Sequence, residues 1–209
     1  MKPPGIVALA AALLFTTPAA AQRGEGTPSA GSPAEIHALA TCIADDYYGV
    51  EVLEILPQTE REFSQVRFRS TWDGRGCRPA NRMVIVGPPY MRGAAAEYLL
   101  ESRSRRTQRV FSMPGNEEMQ RLGTDTRAAI LLIQVGECAA RANLPGVMAL
   151  LGTAVESPEE RAAVRALVPA IAGCVPQGVS FQLPPLLARA YLAEGAYRNS
   201  VADRARARR

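Results

Sequence analysis

The sequence predicts a mainly α fold with short β segments, arranged as two related helical modules in tandem, each closed by an internal disulfide. Three observations carry this. Cys42 and Cys77 lie 35 positions apart, and Cys138 and Cys174 lie 36 apart. From Cys77 onward, a shift of 97 aligns Cys77 with Cys174, Pro79 with Pro176, Pro88 with Pro185, Arg92 with Arg189, Ala96 with Ala193 and Glu97 with Glu194. The signals that start helices repeat as well: Thr59-Glu60-Arg61-Glu62 and Ser157-Pro158-Glu159-Glu160 both have the S/T-x-x-E form of a capping box. The period is too long for helical arrays repeating every ~34–47 residues, so two copies of one module fit better than a solenoid. Near the first cysteine of each pair the shift is 96; one residue has been gained inside the loop.

The elements follow in chain order. Residues 1–21 read as a signal peptide: Lys2, an apolar run from Ile6 to Phe15, then Ala19-Ala20-Ala21 before Gln22. The run is shorter than the ~20 apolar residues of a spanning helix, so no transmembrane anchor is expected after cleavage. Residues 22–31, rich in Gly, Ser, Pro and Ala, read as a disordered linker. Module 1 covers 32–102. Ser32-Pro33-Ala34-Glu35 combines an N-cap, a proline at N1 and a capping glutamate. It opens a helix whose Ile36, Leu39, Ala40 and Ile43 share one face. A short helix with Val52, Leu53 and Leu56 ends at Pro57, and the Thr59 box opens a third. Arg82 to Val86 is a strand candidate. Pro88-Pro89 then starts a closing helix, since proline suits a first turn where its missing N–H is not needed.

Residues 103–125 form a basic linker with one short helix, carrying Arg103, Arg105, Arg106 and Arg109. Module 2 covers 126–198. It opens with a helix from about Thr126 through Ile130, Ile133 and Cys138, and continues through Val147, Leu150 and Leu151 to the Ser157 box. The next helix holds Val164, Leu167 and Ile171, with Pro169 as a candidate kink and Gly173 as its terminator. Val179 to Leu183 alternates apolar and polar as a half-exposed strand does, and Pro184-Pro185 starts the last helix. The two strand candidates are expected to pair with each other. Residues 199–209 have no apolar face and read as a disordered basic tail.

Four cysteines in an exported chain favour disulfides. Of the three connectivities, the repeat selects Cys42–Cys77 and Cys138–Cys174. Each closure contributes roughly 3–4 kcal/mol in the chain-entropy model. Zinc is disfavoured, because there is no C-x-x-C spacing and His37 is the only histidine.

The chemistry is sparse. His37 lies mid-helix with no nucleophile motif to serve. Glu97 and Glu194 are equivalents under the repeat and would approach one another if the halves packed about a pseudo-twofold. The plainer expectation is that each answers an arginine, Arg92 or Arg189, on its own helix. The cluster Arg103, Arg105, Arg106 and Arg109 could contact an acidic partner. The net charge of +4, or +3 once Lys2 leaves with the leader, is too modest to argue for nucleic acid. No catalytic, cofactor-binding or metal-ligating set stands out.

The string Gly136-Glu137-Cys138, the Ser157-Pro158-Glu159-Glu160 box and Gly173-Cys174-Val175-Pro176, with the Pro-Pro helix closings, resemble uncharacterised exported alphaproteobacterial proteins with a duplicated two-cysteine module. The resemblance implies export and the module, and brings no activity with it. The resulting expectation is a non-enzymatic periplasmic or secreted protein that binds a protein or cell-envelope component. The alternative is a small carboxylate-dependent hydrolase or transferase using Glu97 and Glu194.

Overall fold

The computed structural model describes residues 32–45, 51–57, 87–101 and 109–209. Seven α-helices and no strands occur among them. Helix α1 (Pro33–Asp45) begins with a reciprocal capping box: the Ser32 N–H donates to Glu35 Oε2 at 2.8 Å, and the Glu35 N–H donates to Ser32 Oγ at 3.3 Å. Leu39 and Ala40 are buried on the predicted face. A single 3-10 turn (Glu51–Leu53) buries Val52 and Leu53 before Pro57. The Thr59 box, Cys77 and the Arg82–Val86 strand candidate lie outside the described residues.

Helix α2 (Pro88–Glu101) starts at the proline pair and is buried almost all round, from Met91 through Glu97. Its neighbours therefore cover every side of it, which a surface helix with one apolar stripe does not require. After the exposed helix α3 (Asn116–Arg121), helix α4 (Thr124–Ala142) buries Ile130, Ile133, Val135 and Ala139. Helix α5 (Leu144–Leu151) is capped by Asn143, whose side chain accepts from the Gly146 N–H at 3.0 Å. Helix α6 (Pro158–Ala172) is capped by Ser157, whose hydroxyl accepts from the Glu160 N–H at 2.9 Å, and it runs through Pro169 to Gly173.

Helix α7 (Pro185–Arg206) is the centre of the molecule. It is buried from Ala188 to Arg198 and packs along both α2 and α4; α1 lies on α2, and α5 and α6 lie on each other. The α4–α7 contact is close because both helices are bare there. A Cβ on Gly195 would sit 2.2 Å from the Gly136 carbonyl carbon, and one on Gly136 would sit 2.2 Å from the Tyr191 oxygen. The Cys138–Cys174 disulfide (S–S 2.00 Å) ties α4 to the residues just beyond α6. Cys42 is also disulfide-bonded.

Three expectations change. Val179 to Leu183 is not a strand: no ladder partner lies beside it among the described residues. Its alternation reflects one-sided burial, with Leu183 resting on the cluster of Phe111, Ile133 and Tyr191 while Gln182 faces solvent. The segment from Asn199 onward is helical to Arg206. The Asn199 side chain donates to the Glu137 carbonyl at 2.9 Å and accepts from Arg141 at 2.8 Å, and Arg204 and Arg206 suit the negative end of the helix. The segment expected as a basic linker, 103–125, is not wholly solvated among its described residues either. Phe111 is buried, and its N–H donates to the Leu53 carbonyl at 2.9 Å.

Candidate functional site

Arg92 and Glu97 lie five residues apart on α2, and Arg189 and Glu194 five apart on α7. Ion pairs within a helix form at spacings of three or four. At five, the side chains point about 140° apart. An own-helix pairing is therefore geometrically closed, and each arginine turns to the glutamate of the opposite helix.

The two pairs are reciprocal. Arg92 donates from Nε to Glu194 Oε2 at 2.9 Å and from Nη2 to Oε1 at 2.5 Å. Arg189 donates from Nε to Glu97 Oε2 at 3.0 Å and from Nη2 to Oε1 at 2.5 Å. Both are bidentate forks, the strongest form of arginine–carboxylate contact. All four residues are buried, Glu194 to 1% exposure and Glu97, the most open, to 7%. The remaining guanidinium donors gather backbone from outside the two helices. Arg92 Nη1 donates to the carbonyls of Val52 and of Ile55, the latter at 2.9 Å. Arg189 Nη1 donates to the carbonyls of Leu150 at 3.2 Å and Thr153 at 3.0 Å, and Nη2 to Leu151 at 2.6 Å. Each arginine thus ties a neighbouring turn to the carboxylate of the opposite helix.

Two further groups join the Arg189 side. Glu160, read in the sequence only as a capping residue, is 1% exposed and accepts from Arg189 Nη1 at 3.5 Å. Its other oxygen accepts from the Glu156 N–H at 2.7 Å, one residue before the cap that the box would have it reach. His37 Nε2 lies 3.2 Å from Glu97 Oε2, so the half-buried histidine has a fixed neighbour. Burial pushes the Glu97 carboxyl up, but the hydrogen bonds from His37 and Arg189 and their charges outweigh it and hold the group below its ordinary 4.5. Burial first, then the Glu194 carboxylate, pushes the Tyr191 phenol up to about 12, so it stays protonated.

Phe111 lies against the same site. The Arg92 guanidinium carbon is 5.1 Å from its ring centroid and that of Arg198 is 4.4 Å. Arg198 Nη2 also donates to the Phe111 carbonyl at 3.1 Å, and its Nε to Glu137 at 3.3 Å. Its Nη1 is buried with no hydrogen-bond partner, and the adjacent ring face offers it a cation–π contact instead. Nothing in the residue order marked Phe111, Arg198 or Glu160 for these roles.

Acid–base work needs a carboxyl that can reach a substrate and exchange a proton with it. Glu97 and Glu194 are instead saturated by guanidinium forks. The pocket beside Glu97, lined by His37, Tyr90, Gly93, Glu97, Leu186 and Arg189, has a cavity volume of only about 10 Å³, the room of a single water molecule. No group of three or more metal-ligating side chains occurs among the described residues. Of the arginines proposed for an acidic partner, Arg103, Arg105 and Arg106 lie outside the described residues, and Arg109 is exposed. No described helix is long and apolar enough to cross a membrane. Comparison with protein-family models, with characterised proteins and with solved structures gives no match for this chain.

Proposed function

We propose that the chain is an exported, non-enzymatic interaction module of the cell envelope, built from two related disulfide-closed halves that dock a protein or envelope component. One observation carries the non-enzymatic part: the carboxylates best suited to a catalytic pair are each occupied by a bidentate arginine from the opposite helix. A group held this way fixes two elements against each other and is poor at trading protons. Support for two related halves comes from the reciprocal pairing of Arg92 with Glu194 and Arg189 with Glu97, residues that the shift of 97 equates. The Cys138–Cys174 bond and the leader-like first 21 residues fit an oxidising compartment beyond the inner membrane.

The test is cell fractionation with N-terminal sequencing and in-cell cross-linking of a tagged chain. The expected result is a periplasmic or secreted protein beginning at Gln22, free of reactive thiols, with a reproducible cross-linked partner. An uncleaved, thiol-bearing chain in the cytoplasm would overturn the reading. A hydrolase screen of wild type beside E97Q/E194Q addresses the rival: turnover present in the first and absent in the second would favour the enzyme.

A further inference from the structure

The two forks clamp α2 to α7, yet their surroundings differ. Arg92 meets one carboxylate, Glu194. Arg189 meets two, Glu97 and Glu160, both buried. Among the described residues, the Arg189 side holds one guanidinium against two carboxylates. It also holds the chain's one histidine, with His37 Nε2 3.2 Å from Glu97 Oε2. An unmatched buried charge is costly, and a proton on the imidazole supplies the missing positive charge. The same groups form a closed ring of contacts that begins and ends on α1. The Ala34 N–H donates to Glu156 Oε2 at 3.3 Å, and the Glu156 N–H donates to Glu160 Oε2 at 2.7 Å. Arg189 donates from Nη1 to Glu160 Oε1 at 3.5 Å and from Nε to Glu97 Oε2 at 3.0 Å, and Glu97 returns to His37. Ala34 and His37 lie three residues apart, about one turn of α1. Glu156 sits at φ 66°, in the left-handed region that persists at a non-glycine residue only where its surroundings hold it. Apart from the Cys42 disulfide, α1 is lightly secured: among its described side chains only Leu39 and Ala40 are buried.

We propose that α1 is a proton-operated clasp on the Arg189 side of the clamp: a charged His37 fastens the helix, and loss of that proton lets it lift. His37 is the one α1 residue lining the water-sized cavity, opposite Tyr90, Gly93, Glu97, Leu186 and Arg189, so lifting α1 opens that cavity onto the buried fork. The charged and titratable groups that face the imidazole are Glu97 and Tyr90 from α2 and Arg189 from α7. Glu160 of α6 stands behind Arg189, and Glu156 meets the start of α1. On α1 itself, Glu35 is turned to the Ser32 N–H. Burial pushes the Glu97 carboxyl up, and the His37 hydrogen bond is the largest of the influences that bring it below 4.5. The charged pair is therefore complete between two limits. As pH rises through the imidazole range, near ~6.5, the positive charge is lost. As pH falls through the folded-state value of Glu97, the negative charge is lost. Fastening of α1 is greatest between the two.

The experiment is amide hydrogen exchange on the full-length chain with disulfides intact, followed from about pH 4 to about pH 8.5 and corrected for intrinsic rates. The amides of Leu39, Ala40 and Thr41 report α1, and those from Ala190 to Tyr197 report opening of the whole molecule. Protection of α1 relative to α7 should fall about tenfold between roughly pH 5.5 and 8, the difference between a charged and a neutral hydrogen bond. It should fall again on the acid side. H37Q keeps a donor without a titrating charge, so the fall above pH ~5.5 should vanish. E160Q leaves His37 and Glu97 in place and removes the second carboxylate, so the fall should shrink to about threefold. A purely structural Glu160 would not move that slope. Relative protection that stays level across the range in the wild type would overturn the proposal. So would a wild-type slope in either H37Q or E160Q.

Discussion

At the scale of single residues, the Arg189 side of the clamp joins more groups than the Arg92 side among the described residues. One guanidinium there serves Glu97, Glu160 and three backbone carbonyls. Replacing Arg189 with Met strands two buried carboxylates. The expected loss is about 3–5 kcal/mol, read from the urea midpoint at constant slope. The pair R92L/E194L should cost much less than the sum of R92L and E194L, because the double change leaves no orphaned charge, and a double-mutant cycle measures the difference. The acid limb of stability follows from Glu97. Its carboxyl titrates below 4.5 when folded, so its contribution is present above the unfolded value and is lost as pH falls through the folded one. H37F removes one of the groups holding that value down, so the acid transition should move to higher pH, and E97Q should flatten this part of the profile. A pH series of thermal melts checks both. The participants were partly visible in the residue order: Arg92, Glu97, Arg189 and Glu194 stood out as repeated positions. Their partners did not, because a spacing of five excludes the own-helix pairing without naming what replaces it.

Elements were legible wherever chemistry marked their ends. The Ser32 and Ser157 boxes and the proline pairs at Pro88 and Pro185 placed helix starts to within a residue or so. Val179 to Leu183 misled because alternation reports which side of a segment is covered and says nothing of what covers it. The helix beyond Asn199 was missed because its support comes from Glu137 and Arg141, more than fifty residues away in sequence. Helix contact also sets a prediction. Gly195→Ala places a methyl carbon 2.2 Å from α4 backbone that cannot yield. It should cost about 3 kcal/mol or more, at or beyond the upper end of overpacking effects. Gly123→Ala, with nothing within 4 Å, should be close to neutral. Parallel melts of the two variants check the difference.

For the molecule as a whole, the Cys138–Cys174 link spans a separation of 36 residues. Replacing both cysteines with serine should lower stability by roughly 3–4 kcal/mol in the chain-entropy model. For a chain of this size that is a fall in Tm of about 10 °C. An unchanged melt would mean that α4 and α6 are held elsewhere. Crossed forks, a bare helix crossing and Phe111 between two guanidinium groups join segments far apart along the chain, and local sequence patterns do not carry that information. There is also a consequence for biogenesis. Helix α7 follows every element it holds, so synthesis from the amino end delivers the central strut after all that must lean on it. Until then Arg92 and Glu97 lack the fork partners that α7 carries. A chain whose last helix closes both forks reaches its buried ion pairs only when synthesis is nearly complete.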